Sequence, residues 1–112
     1  MTVALYDHVV TQGHYLRSLR DFLTDEFGAP LNLAGHTVKF RMTNDAGSLI
    51  INDRDAVVVN AGTGEVRYDP SAPDFATAGD YWGWWIVTRV ADGKTDAHPA
   101  GRRLKILVER GT

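Results

Sequence analysis

The segment Tyr81-Trp82-Gly83-Trp84-Trp85-Ile86-Val87 decides the fold, because it combines strong strand formers with all three tryptophans of the chain. In a strand, successive side chains point to opposite faces. One face of the segment therefore carries Tyr81, Gly83, Trp85 and Val87. The opposite face carries Trp82, Trp84 and Ile86. Both faces are apolar, so the protein core covers one of them and something else has to cover the other.

Segments on both sides follow the same two-residue period. Residues 38–42 alternate apolar and charged side chains, and Leu104-Lys105-Ile106 does the same before Val108. Glycine-containing turn signals separate these segments from one another. Further short candidate strands lie at residues 48–51, 56–60, 65–68 and 95–97, and the longest spans residues 81–90. The pattern predicts an all-β chain folded as a two-sheet antiparallel β-sandwich of about seven or eight strands.

One stretch disagrees with this prediction. Within residues 15–27 the apolar side chains fall at the i, i+3, i+4 spacing of an amphipathic helix: Tyr15, Leu16, Leu19, Phe22, Leu23 and Phe27. Gly28 is a suitable residue to end such a helix. Periodicity alone therefore predicts a helix here.

The length of 112 residues corresponds to one ordinary domain. No repeat, low-complexity tract or Pro/Ser linker divides the chain. Residues 1–13 precede the regular turn pattern and contain Val3, Leu5 and Tyr6, which makes them too apolar for a purely disordered tail. We expect an N-terminal arm over residues 1–13, packed on its own domain or on a neighbour, and a single β-sandwich domain over residues 14–112.

The composition excludes several classes of protein. Twelve Lys and Arg residues against 14 Asp and Glu give a formal charge of −2, whereas nucleic-acid binders normally carry a basic face. No apolar run approaches the roughly 18 residues needed to cross a bilayer, and the N-terminus lacks the pattern of a secretory signal. The chain has no cysteine, which excludes disulfides and thiol chemistry. Cytoplasmic synthesis is the simplest expectation.

The residues that usually carry catalysis show none of the required spacings. Acidic residues lie mostly in predicted turns. His8, His14, His36 and His98 have no metal-ligand spacing, and no serine sits in a G-x-S-x-G motif. Gly62-Thr63-Gly64 lacks the lysine of a phosphate-binding loop and fits a hairpin turn. We therefore expect no enzymatic activity, no cofactor and no metal site.

Three interpretations account for the outward side chains Trp82, Trp84 and Ile86. Lysine and arginine stems or the N-terminal arm screen them within the monomer. Alternatively, a neighbouring subunit buries them, since clustered aromatic residues are typical of interface centres. In the third interpretation they form a platform on which a sugar stacks, which requires accessible rings flanked by polar groups.

Several turn motifs, taken in order, resemble a known family. The motifs are Gln12-Gly13, the run LTDEFGAPLNLAGHTVKFRM over residues 23–42, Thr63-Gly64-Glu65-Val66-Arg67-Tyr68 and Ala78-Gly79-Asp80-Tyr81. Together they resemble the immunoglobulin-like domain of tailed-phage baseplate upper proteins and related phage virion proteins, over about residues 12–109. The family pattern is a short strand, an acidic turn ending in glycine, an L-x-L/D-L-[TA]-G motif and an alternating strand.

The resemblance implies an immunoglobulin-like β-sandwich in which residues 19–24 form a strand instead of a helix. It also implies one shared core face, made of Tyr81, Trp85, Val87, Val38, Phe40, Met42, Val66, Tyr68, Leu104, Ile106 and Val108. Trp82 and Trp84 depart from the family, in which these positions are expected to be polar. This departure favours a partner on the outward face.

In such phage proteins the domain is a building block of the baseplate, tail or fibre. The resemblance therefore implies a non-enzymatic structural subunit of the virion, whose partners are other virion proteins and copies of itself in a symmetric assembly. The last predicted strand ends close to Thr112, so we expect no receptor-binding domain to be attached. The expected interface residues are Trp82, Trp84, Ile86, Val3, Leu5 and Tyr6. The alternative functions are a capsid decoration protein and a carbohydrate-binding module for host glycan.

Overall fold

The computed structural model describes residues 6–13, 17–25, 27–71, 73–99 and 103–111. Every regular element within these ranges is a strand, and no helix long and apolar enough to cross a membrane is found there. The strands are β1 (His8–Thr11), β2 (Leu19–Phe22), β3 (His36–Asn44), β4 (Leu49–Asp55), β5 (Val57–Asn60), β6 (Glu65–Tyr68), β7 (Gly79–Arg89), β8 (Thr95–His98) and β9 (Leu104–Glu109). The predicted all-β sandwich is confirmed.

The larger sheet places β7 at its centre. Its six strands run in the order β1-β9-β7-β3-β4, and β8 also pairs with β7. Strand β3 pairs with β7 along residues 81–89, so β9 and β8 share the opposite edge of β7, at residues 79–83 and 85–88. The pairs within this sheet are antiparallel except β1–β9, which is parallel. The most aromatic strand thus has neighbours along both of its edges.

The smaller sheet has three antiparallel strands in the order β2-β6-β5. The chain crosses from the larger to the smaller sheet at Ala56, whose N–H donates a hydrogen bond to the Val38 carbonyl at 2.9 Å. Between the sheets lies the core, and all eleven side chains assigned to it from the sequence are buried. Leu19, Leu23, Leu33, Ile51 and Phe75 complete it. The alternation along β3, β7 and β9 is therefore confirmed.

The helix predicted from the periodicity of residues 15–27 is wrong in the part that the structure describes. Strand β2 forms there instead, and its residues pair with β6 from Leu19↔Tyr68 to Phe22↔Glu65. The buried side chains are Leu19 and Leu23, whereas Phe22 and Phe27 are exposed. A spacing of four residues places two side chains on the same face of a strand as well as of a helix. The pair Leu19 and Leu23 therefore fits both structures. Pairing with β6 decides between them.

The described part of the N-terminal arm packs on its own domain. Strand β1 pairs with β9 from His8↔Ile106 to Thr11↔Glu109, and the Gly13 N–H donates to the Phe75 carbonyl at 2.9 Å. Of the arm residues predicted to lie in an interface, Val3 and Leu5 fall outside the described residues. Tyr6 is described and contacts the larger sheet through Asp80.

Trp85 joins the two sheets through one carboxylate. Its ring is fully buried and lies 4.8 Å from the Phe40 ring, centroid to centroid. The indole Nε1–H donates to Asp21 Oδ2 on β2 at 2.7 Å, and the same oxygen lies 2.8 Å from Nε2 of His8 on β1. Asp21 therefore links three strands, and it satisfies the one polar group of the central indole.

The turn between β5 and β6 depends on a glycine. Gly64 has a φ of +73°, a left-handed conformation that L side chains rarely adopt. A Cβ at this position would collide with the Leu23 carbonyl oxygen and lie 3.0 Å from that of Leu31. The Gly64 carbonyl in turn accepts the Leu23 N–H at 2.8 Å, so the turn is held directly against the chain that follows β2.

We expect Gly64→Ala to lower the free energy of unfolding by about 2 kcal/mol or more, because left-handed strain of about 1–2 kcal/mol adds to a collision with backbone. Gly62→Ala is the matched control, since the nearest atom to its Cβ would be Asn60 Oδ1 at 3.5 Å. That variant should change stability by less than about 0.5 kcal/mol. Urea denaturation measures both, and equal losses would contradict this account of the turn.

Candidate interaction surface

The outer face of the larger sheet is the side of that sheet that points away from the core. Its central row is Trp82, Trp84 and Ile86, all half-buried. Strand pairing sets Thr43, Arg41 and Lys39 of β3 beside these three residues in turn. On the other edge of β7, Lys105 pairs with Trp82 and Ala97 pairs with Ile86. An aromatic and aliphatic row thus runs between two borders that carry cationic side chains.

Trp82 is covered by its own chain. The Arg103 guanidinium carbon lies 4.0 Å from the centroid of the Trp82 ring, and Lys105 Nζ lies 6.0 Å from it. A cation over an indole face is attracted by the ring quadrupole, and its alkyl stem shields apolar surface from water. Of the three interpretations of the outward row, screening by cationic side chains within the monomer therefore applies to Trp82.

Tyr6 lies next to the same lysine as Trp82. Lys105 Nζ lies 5.0 Å from the centroid of its ring, and its hydroxyl donates to Asp80 Oδ1 at 2.8 Å. This hydrogen bond raises the pKa of the Tyr6 hydroxyl above its ordinary value, because the Asp80 carboxylate stabilises the protonated form. The structure thus brings together Tyr6 and Trp82, two of the predicted interface residues, through a shared lysine.

Trp84 lines an open groove. The groove has a volume of about 460 Å³ and is lined by Arg41, Thr43, Leu49, Trp84 and Ala97. Leu49 is 52% exposed and pairs with Thr43, so it faces the same side of the sheet as Trp84. The two apolar side chains border one depression with polar groups between them. In contrast to Trp82, Trp84 stands next to space that another molecule can fill.

A fixed ion pair stands beside the groove. Arg41 Nε and Nη2 donate to the two carboxylate oxygens of Asp53 at 2.6 and 2.7 Å. Asp53 has a φ of 49°, a conformation that is uncommon outside glycine, asparagine and aspartate. The hydrogen bonds from Arg41 lower the pKa of the Asp53 carboxyl and raise that of the Arg41 guanidinium. The two-pronged contact fixes the orientation of the guanidinium beside Trp84.

Two inward-facing acidic groups were not predicted from the sequence. One is the half-buried Asp21, described above, which stands two residues after the inward Leu19 and so at a core-facing strand position. The other is the buried Asp74, whose Oδ2 accepts the Tyr68 hydroxyl at 2.6 Å and the Ser71 N–H at 2.8 Å. Burial, followed by the hydrogen bond to Asp74, raises the pKa of the Tyr68 hydroxyl. Asp21 and Asp74 each connect separate parts of the chain through hydrogen bonds. Among the described residues, no group of three or more His, Asp or Glu is arranged to hold a metal ion.

The fold and the surface define a class: a small two-sheet β-sandwich module with an aromatic row on the outside of its larger sheet. Residues 16–97 match the family described as BppU N-terminal domain. The chain therefore belongs to the family of N-terminal domains of phage baseplate upper proteins. Membership confirms the resemblance found in the sequence and identifies the chain as a structural domain of the phage virion, where it meets other virion proteins.

The fold is shared with a solved structure, the N-terminal domain of phage TP901-1 ORF48. The TM-score is 0.69 at 15% sequence identity, and the match covers 90% of this chain and 82% of that chain. At this identity the similarity concerns the fold. No curated protein matches the chain.

The Arg41–Asp53 pair predicts a pH-dependent contribution to stability. Because the pKa of Asp53 is lowered in the folded protein from its ordinary 3.8, its contribution is present above that value and is lost as the pH falls through the lower, folded-state pKa. We expect Asp53→Asn to cost at most about 1 kcal/mol of unfolding free energy at pH 7, since the pair is partly exposed. This difference should shrink below about pH 4.

Urea denaturation at a series of pH values measures the effect. Asparagine tolerates the left-handed backbone of residue 53, so the substitution tests the charge and not the turn. In an Arg41→Gln background the pH-dependent difference should shrink to the smaller part that the charge of Lys39 supplies. A difference of unchanged size in that background, or one that grows as the pH falls, would contradict the assignment to this pair.

Proposed function

We propose that the chain is a non-enzymatic structural subunit of a tailed-phage virion, an adaptor in the baseplate, tail or fibre that acts through protein–protein interfaces. The observation that supports this most directly is the groove beside Trp84, which pairs an indole with the exposed Leu49 on the outer face of a rigid sheet. Tryptophans in depressions are typical of the residues that dominate binding energy at interfaces. Membership of a phage baseplate family supplies the context.

The acidic side chains support a structural role in another way. Asp25 Oδ1 accepts the N–H groups of Phe27 and Ala29 at 2.8 and 3.0 Å, and Asp92 Oδ1 accepts the Lys94 N–H at 3.1 Å. These carboxylates close turns through side-chain to backbone hydrogen bonds. Their use in turns explains their positions in the sequence without any catalytic pair.

The proposed interface is centred on Trp84 and includes Ile86 and Leu49. Trp82 and Tyr6 lie at its rim, where Arg103 and Lys105 already cover part of their rings. A rim of this kind excludes water from a central contact even when it adds little binding energy of its own. Val3 and Leu5 belong to the proposal as residues of the arm that precede Tyr6.

The proposed partners are other virion proteins in a symmetric assembly. A symmetric assembly repeats one modest contact many times. Several contacts made at the same time give a much higher overall affinity than each contact alone. A subunit of this kind is made in the host cytoplasm and acts only in the particle. A capsid decoration protein would use the same outer face on a different shell.

We expect Trp84→Ala to reduce incorporation into phage particles, with binding weakened about 30-fold, because truncating a central tryptophan typically costs about 2 kcal/mol or more. Trp82→Ala should have a smaller effect, since Arg103 covers that ring in the free subunit. The measurement is the amount of tagged variant in purified particles after complementation in trans, with circular dichroism to verify folding.

Val90→Ser is the control, because Val90 is 66% exposed in the turn after β7 and lies away from the groove. It should enter particles like the unaltered chain. Unchanged incorporation of Trp84→Ala would refute an interface centred on that residue.

One observation favours carbohydrate binding as a second candidate function. An accessible indole beside a fixed Arg41–Asp53 pair combines a stacking surface with polar groups that suit sugar hydroxyls. Saturable quenching of tryptophan fluorescence by host cell-wall polysaccharide, abolished in Trp84→Ala, would support it. A flat titration of the unaltered chain would exclude it and leave the structural function in place.

A further inference from the structure

A cleft lies where β3, β7 and β8 meet. It has a volume of about 300 Å³, and its apolar lining is Leu31 and Val87, whereas its other lining residues are polar or charged. Strand pairing sets Asp96 beside Val87 and His98 beside Trp85. Val87 and Trp85 belong to the core, so the cleft lies on the core-facing side of the larger sheet, opposite the groove beside Trp84.

His98 is a buried imidazole that lacks hydrogen bonds. It is 6% exposed, and its Nδ1 has no hydrogen-bond partner among the described residues. Its Nε2 lies 3.5 Å from Asp96 Oδ2, at the outer limit of hydrogen-bond distance. Asp21, which reaches the same side of the sheet from β2, is already bound to Trp85 and His8. Burial of a polar side chain is costly without partners, so this ring, which lines the cleft, gains from a further one.

His36 adds a second imidazole, and one contact fixes its orientation. Its Nδ1 lies 2.8 Å from the Ala34 carbonyl oxygen. A carbonyl oxygen only accepts, so Nδ1 carries a hydrogen and donates it. When the ring becomes charged, the second proton is therefore added at Nε2, the nitrogen that does not take part in this hydrogen bond.

The permanent charges of the described residues around the cleft balance one another. Arg89 and Lys94 are its cationic lining residues, and Asp96 is acidic. Asp92 Oδ2 accepts a hydrogen bond from Arg89 Nη1 at 3.2 Å, so a second carboxylate offsets the second cation. An excess of positive charge then depends on the imidazoles, and histidine is the side chain whose charge ordinarily changes between about pH 5 and pH 8.

We propose that this cleft binds a carboxylate carried on an aliphatic stem, the group that a glutamate side chain presents, and that binding strengthens as the pH falls. A guanidinium has five N–H donors in a planar fork that suits carboxylate oxygens. Arg89 uses only its Nη1 in the contact with Asp92. The methylene groups of the stem suit the apolar lining formed by Leu31 and Val87.

The structure favours an anion over a metal ion as the ligand. His36, His98 and Asp96 all line the cleft, but no three His, Asp or Glu side chains in the described part of the chain are arranged to hold a metal. A charged imidazole has donors at both ring nitrogens. The two rings therefore serve as hydrogen-bond donors to an oxyanion.

An acidic side chain of a neighbouring virion protein is the source of ligand that suits this site. That source rests on the proposed function, whereas binding of the carboxylate itself does not. The cleft and the groove beside Trp84 lie on opposite sides of the sheet. Loss of binding at one of them therefore leaves the other measurable.

The test uses two small probes of the same shape. N-acetylglutamate α-amide presents a glutamate side chain and no other charge, and N-acetylglutamine α-amide is its neutral counterpart. The first probe should shift the imidazole NMR signals of His36 and His98 saturably and leave those of His8 in place, whereas the second should shift none of them. The affinity for the first probe should be about tenfold higher near pH 5.5 than near pH 8, because the probe stays ionised over this range while histidine gains charge.

Three variants test the location of the site. Lys94→Gln should weaken binding about threefold, as expected for loss of one partly exposed cation. Lys39→Gln is the matched control, the same replacement at a β3 residue that pairs with Ile86 on the outer face, and it should bind like the unaltered chain. His36→Asn should reduce the dependence on pH, because asparagine keeps a donor for the Ala34 carbonyl but takes up no proton.

Each result supports or overturns the proposal. A flat titration would overturn it and would leave the polar side chains of β8 the role of keeping an edge strand from pairing with other chains. Equal binding of the glutamine probe would overturn recognition of a carboxylate, and equal binding of inorganic phosphate would overturn the need for an aliphatic stem. An affinity that does not change with pH would overturn the role of the imidazoles. None of these measurements involves Trp84 or the phage particle, so the proposed interface is tested separately.

Discussion

The hydrogen bond from the Trp85 indole to Asp21 joins the two sheets at the centre of the molecule. Trp85 belongs to the central strand of the larger sheet, Asp21 belongs to the smaller sheet, and the same carboxylate oxygen contacts His8 from the N-terminal strand. An indole buried without an acceptor would carry an unsatisfied donor, which typically costs about 1–3 kcal/mol. The carboxylate satisfies that donor and fixes where β2 lies across the core.

With Trp85 directed inward, Trp82 and Trp84 point outward, because side chains alternate along β7. The structure then treats these two residues differently. Arg103 lies over Trp82, since β9 and the residue before it run beside that end of β7. Trp84 lies beside β3, where Arg41 donates a hydrogen bond to Asp53 of β4. A groove remains between the indole and Leu49. Whether a cation lies over an outward tryptophan thus depends on where the flanking cations are held.

The chain belongs to a phage baseplate family, which gives a functional context to the difference between Trp82 and Trp84. The proposed role, that of a subunit in a repeating assembly, depends on surfaces for neighbouring proteins and not on a chemical centre. The inward-facing carboxylates Asp21 and Asp74 bind elements of the same chain, and exposed ones such as Asp25 close turns.

The sequence by itself determined the class of fold and most of the core. Alternation along residues 38–42 and 104–108 identified the buried faces, and along residues 81–87 it separated two apolar faces, because side-chain period is a local property of an extended backbone. It could not settle residues 15–27, where Leu19 and Leu23 fit both a helix and a strand, since only pairing with β6 distinguishes the two. The parallel pairing of β1 with β9 has no local signature, and the inward position of Asp21 follows from its spacing to Leu19 only once residues 19–22 are known to form a strand. Tertiary structure alone decided that a cation lies over Trp82 and that a groove lies beside Trp84, because the residues concerned come from strands that are distant in the chain and adjacent in the sheet.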